Sequence, residues 1–501
     1  MNTSAPERIE RAAVLGAGVM GAAIAAHLAN VGIPTLLLDL PAKEGPDRSA
    51  PARAGLQRAR KSKPASFASS AAPALVEVGN FDDDLPRLAD CDWVIEAVIE
   101  NLAVKRGLYG RIAPHVGARA VLSTNTSGLS AAALSEALPA ELRPRFLVTH
   151  FFNPPRYLKL LEVVRGPETA DGVVDLIEDV GERVLGKGVV HAKDTPNFIA
   201  NRIGCFGIFH VLRVMQERGY TVAEVDKLTG KAIGRPKSAT FRTADIVGLD
   251  TLAHVAGNLF EGLEDDPHRA LFDPPGFMKE LIAEGRLGEK SGAGFYKKVR
   301  GADGRSEILM LDVASLEYVP QGRVSIASLE MARNVEDVRE RVAGLVQAQD
   351  RGGAFLWETL SATLRYAAAC IPEIADDVVA VDRALRFGFG WELGPFELWD
   401  ALGFRASAER MAAEGHALPP FAQAVLDSGA DGFYSREQGV TSHFDRTERT
   451  FVPVPSRPEH LVLADLRDSG RTVWRARGGS LGVLGDDVVC LKFHSKMNTL
   501  G

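Results

Sequence analysis

The sequence predicts an α/β, doubly wound domain followed by two related all-α domains. Three observations predict this. Short apolar runs alternate with helical stretches through the first 190 residues, a glycine-rich turn joins the first run to the first helix, and one helical pattern recurs far along the chain. With 501 residues the chain has room for about three or four domains. Its 46% hydrophobic and 25% charged content are ordinary for a globular protein. A net charge of -7 excludes a global basic field for nucleic acid or an anionic membrane.

The elements follow in order. Ala12-Ala13-Val14-Leu15 is a buried strand that stops at Gly16. An Ala-rich helix runs from Val19 to Asn30, Gly32 and Pro34 end it, and Thr35-Leu36-Leu37-Leu38-Asp39 is a second strand. Strand, turn, helix and strand make a βαβ unit and imply a parallel sheet. Further strands are expected at Trp93 to Val98, Ala120 to Ser123, Phe146 to His150 and Leu160 to Val164, with helices at Ala103 to Ile112 and Ala131 to Leu138. The α/β domain is bounded at 1–190 and a helical domain at 191–298. A connecting segment is expected at 299–355, a second helical repeat at 356–440, a linker at 441–469 and a β-like tail at 470–501. The repeat is read from Val225-Asp226-Lys227 with Gly234 against Val381-Asp382-Arg383 with Gly390, and from Asp245 with Gly248 against Asp400 with Gly403. The tail carries a hairpin signal, Gly485-Asp486-Asp487 between two apolar runs.

Gly16-Ala17-Gly18-Val19-Met20-Gly21 is a GxGxxG motif between a strand and a helix, the context of a Rossmann-like dinucleotide fold. The three glycines serve a tight turn, close approach of a pyrophosphate and close helix packing. The free N–H groups of the helix start suit the phosphates. Asp39 ends the second strand, where a carboxylate accepts from a ribose diol and repels a 2′-phosphate, so NAD is expected over NADP. Cys91, Cys205, Cys370 and Cys490 form no CxxC pair and have no metal-ligand spacing, and they read as reduced thiols of a cytoplasmic protein. Met1 to Arg11 lacks the apolar core of a secretory signal. No apolar run reaches the roughly 20 residues of a membrane span.

His150 lies at the end of a predicted strand, where α/β sheets bind ligands, and its side chain suits proton transfer near neutral pH. Glu162 sits within the apolar run Leu160 to Val164, so it needs a partner, and pairing with His150 would orient the imidazole. A capped strand-end His and a Glu on an edge strand are the bland alternatives. The stretches GAGVMG (16–21), EAVIENLAVK (96–105), NTSGLS (125–130), HFFNPP (150–155), LEVV (161–164), KDTPNFIANR (193–202) and KSGAGFY (290–296) stand in this order. Through them, residues 11–298 resemble the 3-hydroxyacyl-CoA dehydrogenase family.

The resemblance implies NAD-dependent oxidation of L-3-hydroxyacyl-CoA in fatty-acid β-oxidation. It implies His150 as general base, Glu162 as its partner, Ser127 as a hydrogen-bond donor to the substrate oxygen, and Asn201 as a positioning group. It implies Glu100, Lys105, Ser127, Asn153 and Lys290 at NAD contacts. Among the basic cluster Arg58, Arg60, Lys61 and Lys63, it points to Lys61 and Lys63 for the CoA phosphates. The chain departs from the family where a second Ser often follows Ser127, and where Arg235-Pro236-Lys237-Ser238-Ala239-Thr240 replaces a commoner Gly-Pro-Phe run near the expected acyl chain.

The second repeat resembles the duplicated helical domain of multifunctional fatty-acid oxidation enzymes and implies an internal pseudo-dimer. It lacks a second GxGxxG, so one NAD per chain is expected. Val488 to Asn498 resembles the opening strands of an enoyl-CoA hydratase (crotonase-type) domain, which implies a truncated fusion without hydratase activity and a possible thiolase or hydratase partner. The competing functions are a non-catalytic NAD-binding scaffold and a dehydrogenase of a free hydroxy acid.

Overall fold

In the computed structural model, which describes residues 5–300, 305–457 and 461–494, the chain forms two compact units. The first runs to Asp376 and takes in Ala380–Pro395; the second is Asp377–Val379 with the chain from Phe396. The first eight strands, all in the first unit, are β1 (Ala12–Leu15), β2 (Thr35–Asp39), β3 (Val76–Asn80), β4 (Trp93–Glu96), β5 (Val121–Thr124), β6 (Phe146–Phe151), β7 (Leu160–Arg165) and β8 (Gly188–Ala192). They form one sheet in the order β3-β2-β1-β4-β5-β6-β7-β8. The winding reverses between β1 and β4, which opens a crevice beyond the carboxyl ends of these strands.

Alternate side chains of each strand enter different cores. Val14, Leu37 and Ile95 pack with Ile24 and Leu28 of the Val19–Asn30 helix on one face. Leu15, Leu36, Leu38 and Val94 pack with Tyr109 and Ile112 of the Leu102–Ile112 helix on the other. Burial on both faces explains why the central strands read as unbroken apolar runs. The two strands absent from the sequence-based expectation, β3 and β8, are the sheet edges, where Glu77 and His191 face solvent. The sheet is not wholly parallel: β6 and β7 are antiparallel. Only residues 152–159 join them, too few for a parallel crossover, which needs a dozen or more.

Helices follow: Ala200–Arg218, Val222–Thr229, Phe241–Val247, Leu249–Gly262 and Gly276–Ala283. The first ends at Gly219 in the left-handed region (φ 65°), and Thr221 and Glu224 form a capping box for the second. The expected connecting segment is structured. It holds most of an antiparallel sheet of β9 (Tyr296–Arg300), β10 (Ser306–Leu311) and β11 (Tyr318–Pro320), then helices Ala327–Ala332 and Val338–Gln347. The helix Arg351–Ala369 next lies along Ala200–Arg218, where the Tyr366 and Phe206 rings stack at 4.0 Å. Arg202 is buried there among Tyr366, Asp266 and Glu373.

The second unit holds helices Phe404–Ala413 and Pro420–Asp427, then an antiparallel sheet of β12 (Tyr434–Glu437), β13 (Val440–Phe444) and β14 (Phe451–Pro453). The expected linker at 441–469 therefore contains nearly two strands and a short helix, Leu463–Asp468. Neither helical region is all-α, because each closes with a three-stranded sheet built alike. Asp245 accepts from the amides of Phe295 and Tyr296, both at 2.8 Å; Asp400 accepts from those of Phe433 and Tyr434, both at 2.9 Å. The preceding Gly294 and Gly432 have no room for a Cβ, which would fall 2.1 and 2.5 Å from the respective Asp oxygen. The two regions thus share an Asp clamp on a Gly-Phe-Tyr strand start.

The tail forms β15 (Thr472–Ala476), β16 (Gly479–Gly485) and β17 (Val488–Phe493), with the expected hairpin turn at Asp486-Asp487, both at positive φ. Ser495 to Asn498 of the hydratase-like stretch lie outside the described residues. No helix among the described residues is long and apolar enough to cross a membrane.

Two stability outcomes follow from the first βαβ unit. A Cβ on Gly21 would lie 1.8 Å from the Gly16 carbonyl oxygen, whereas one on Gly18 would meet nothing within 4 Å. Gly21→Ala should lose about 1–3 kcal/mol in urea unfolding while Gly18→Ala stays near the parent. His27 is buried on the Val19–Asn30 helix with Nε2 3.1 Å from the Leu185 carbonyl oxygen. Burial, then the charge of Lys187, pushes its pKa from 6.5 down to about 4. Its neutral form therefore supports the fold above pH 6.5, and that support is lost as pH falls toward about 4. Urea unfolding across this window should show a loss of roughly 3 kcal/mol that His27→Gln removes.

Candidate active site

The antiparallel turn from β6 to β7 sets His150 directly opposite Glu162 in the strand register. Their side chains meet, with His150 Nδ1 2.7 Å from Glu162 Oε2. Glu162 is fully buried and His150 is 5% exposed. The other Glu162 oxygen, Oε1, accepts from the amides of Ile199 (3.2 Å) and Ala200 (2.9 Å), where the Ala200–Arg218 helix begins. That end of a helix offers unsatisfied N–H groups and a positive dipole end to a carboxylate. Phe152 and Phe198 flank the imidazole at 4.6 and 5.7 Å. With Nδ1 engaged, the histidine has its second ring nitrogen for exchange with a ligand. Asn201 follows Ala200 directly, half-buried on the same first turn.

Glu100 fixes the neighbouring loop. Its Oε1 accepts from the Thr126 hydroxyl (2.5 Å) and the amides of Ser127 (2.8 Å) and Gly128 (3.1 Å). Burial alone would raise the Glu100 carboxyl, but Lys105 and these donors hold it below the ordinary carboxylate range. Lys105 is 1% exposed; its ammonium lies 2.8 and 2.9 Å from the Glu96 oxygens and 3.3 Å from Glu100. It is held by carboxylates and presents no free cation. The Asn125 side chain accepts from the Phe151 amide at 2.8 Å and ties this loop to β6.

The glycine-rich turn is built as its motif requires. Gly16 has φ 100°, and a Cβ there would lie 2.7 Å from the Ala97 carbonyl oxygen. Gly18 is open, so its backbone is free for a close ligand approach, and Val19 is exposed beside it while Met20 packs on the core. Asp39 accepts from the Ala17 amide at 2.8 Å and from Leu40 at 2.7 Å. These residues fit a dinucleotide: an open glycine, unencumbered backbone and a carboxylate fixed at the end of β2. The turn after β1, Asp39 on β2, Glu100 after β4, Ser127 after β5 and His150 on β6 all stand at carboxyl ends of parallel strands, so the topology gathers them along one edge.

Other expected residues stand apart. Asn153 is exposed just after β6. Lys290 is paired with Asp250 at 2.5 Å in the helical region. Lys61 and Lys63 are exposed at and beyond the end of the Ala50–Lys61 helix. Sequence reasoning grouped Arg58 with them, but it donates to the Ala17 carbonyl at 2.8 Å and so reaches the glycine-rich turn. It also missed Glu96, which holds Lys105 and accepts from Thr124 at 2.6 Å; its one signal was an acid ending a buried strand.

Residues 11–195 match the 3-hydroxyacyl-CoA dehydrogenase NAD binding domain, and residues 198–298 match the 3-hydroxyacyl-CoA dehydrogenase C-terminal domain. The chain is 42% identical over 509 residues to a "Probable 3-hydroxyacyl-CoA dehydrogenase" of Bacillus subtilis, covering 99% of this chain and 64% of that protein. It is thus similar to somewhat less than two thirds of that relative's length. It is 48% identical over 298 residues to a "Probable 3-hydroxyacyl-CoA dehydrogenase" of Deinococcus radiodurans, covering 60% of this chain and 85% of that one. The fold is similar to the crystal structure of 3-hydroxybutyryl-CoA dehydrogenase from Escherichia coli K12, with a TM-score of 0.60, 24% identity, and 84% and 99% of the two chains covered. The chain therefore belongs to the 3-hydroxyacyl-CoA dehydrogenase family, and the cofactor of its first domain is NAD.

Proposed function

We propose that this chain oxidises L-3-hydroxyacyl-CoA to 3-ketoacyl-CoA with NAD+, as a step of fatty-acid β-oxidation. The observation that carries this is the buried His150–Glu162 pair on adjacent strands, at the sheet edge that also bears the dinucleotide turn. Binding alone needs no such pair. The Gly16–Gly21 turn and Asp39 would hold NAD+, which would supply the hydride acceptor for C3 of the substrate. His150 Nδ1–H donates to Glu162, which leaves Nε2 to take the proton of the 3-hydroxyl, and Glu162 stabilises the imidazolium that forms. The products are the 3-ketoacyl thioester, NADH and one proton.

Ser127 is held by Glu100 at the end of β5 and directs its hydroxyl to the reacting oxygen, while Asn201 positions the thioester from the first helical turn. Asp39 selects the unphosphorylated ribose of NAD. Lys105 acts on the cofactor through Glu100, whose charge and position it fixes. Lys61 and Lys63 receive the CoA phosphates. The stacking of Tyr366 on Phe206 and the anchoring of Arg202 support an internal pseudo-dimer in which the second repeat supports the first.

Following NADH oxidation by absorbance should show turnover with acetoacetyl-CoA and none with free acetoacetate. His150→Gln should lower kcat by about two orders of magnitude or more with NADH affinity kept. Near-parental turnover in that variant would refute the histidine's role.

A further inference from the structure

Arg235 is a partly buried cation without an anion. It belongs to the segment that departs from the family pattern. No ion pair or side-chain hydrogen bond is formed by its guanidinium among the described residues, which stacks instead on the Trp391 ring, 3.9 Å from the centroid. Arg202, in the same region, shows the usual arrangement, with two carboxylates and a tyrosine hydroxyl around it. Burial alone pushes the Arg235 pKa down to about 10.

The guanidinium borders a small cavity of ≈ 40 Å³, lined also by Thr229, Thr240, Thr243, Phe389 and Trp391. A space of that size holds a few waters or one carboxylate. Two rows of side chains run from the reacting centre toward it. The helix that starts beside Glu162 carries Asn201, Gly204 and Ile208 at i, i+3 and i+7, hence on one face, and the last two line the cavity. Ile208 lies about 10 Å along the axis from Asn201. A ladder of rings runs the same way: His150 to Phe152 at 4.6 Å, Phe152 to Phe389 at 6.3 Å, Phe389 to Trp391 at 6.2 Å, then Arg235. Phe389 sits against Gly204, where a Cβ would fall 2.3 Å from the ring. An apolar wall thus leads from the base to an unpaired, carboxylate-matching cation.

We propose that Arg235 binds an anionic group at the far end of the acyl chain, so that 3-hydroxyacyl thioesters ending in a carboxylate are preferred substrates. This rests on the dehydrogenase reading of the site. Methylenes lie along the rings, and the terminal carboxylate takes the two-pronged hydrogen bonds that a guanidinium offers. On its outer side Arg235 also borders a second cavity with Lys231, Lys237, Arg333 and Arg341, with Glu392 the one carboxylate there, a surplus of positive charge that draws anions toward it.

The test compares 3-hydroxyacyl-CoA substrates of equal length, with and without a terminal carboxylate, over about ten to fourteen carbons, enough to span about 10 Å beyond C3. The parent should favour the carboxylates in kcat/KM by about tenfold or more. Arg235→Met should abolish that preference mainly through KM, and Arg235→Lys should restore part of it. A parent preference for the alkyl thioesters, or equal losses on both series in Arg235→Met, would overturn the proposal. If no thioester is turned over, the dehydrogenase reading fails, and calorimetry with dodecanedioyl-CoA and dodecanoyl-CoA decides instead. Tighter dodecanedioyl-CoA binding that vanishes in Arg235→Met supports the proposal, and equal binding ends it.

Discussion

The Glu162 carboxylate is the contact on which the rest of the site depends. A fully buried negative charge is tolerated only when its oxygens are satisfied, and here one is taken by His150 and the other by two helix-start amides. The same group thereby joins the α/β sheet to the helical region. The antiparallel turn makes this possible. A parallel continuation would need a long crossover, and residues twelve positions apart could not then face each other. The short connection 152–159 therefore decides both the sheet's irregularity and the position of His150 opposite Glu162.

What was legible in the sequence follows burial. β1 and β2 agree residue for residue with the apolar runs, because both faces of a central strand are covered. The edge strands β3 and β8 carry polar residues on their open side and left no such run. The partnership of His150 and Glu162 was readable from an acid inside an apolar stretch. Its second half was not, since the partners are backbone amides 37 and 38 positions away, which carry no residue signature. Lys105 was expected at an NAD contact from the resemblance, and only the fold reveals the carboxylate of Glu96 beneath it. Pro453 and its neighbours suggested a linker, yet Pro453 ends an edge strand, where a missing amide hydrogen does little harm.

The two Asp clamps show one packing requirement met twice in the chain. Asp245 and Asp400 each hold a Gly-Phe-Tyr strand start, although the chain between clamp and strand is much shorter in the second copy. The packing requirement has been kept while the intervening helices have changed. The second copy also contributes Phe389 and Trp391, and so places aromatic surface against the first copy's helix and Arg235. Burial of Asp245 pushes its carboxyl up to about 6 despite two amide donors, an expense the fold accepts to close the strand.

The anchoring of Ala200 beside Glu162 gives the Ala200–Arg218 helix a fulcrum at its first turn. A lever moves least at its fulcrum. A tilt of about 5° there displaces Ile208 by roughly 1 Å and leaves the Glu162 contacts almost untouched. In the proposed reaction, room for different acyl tails is made at the far end of the helix without disturbing the His150–Glu162 contact, so tolerance of substrate and rigidity of chemistry reside in one element.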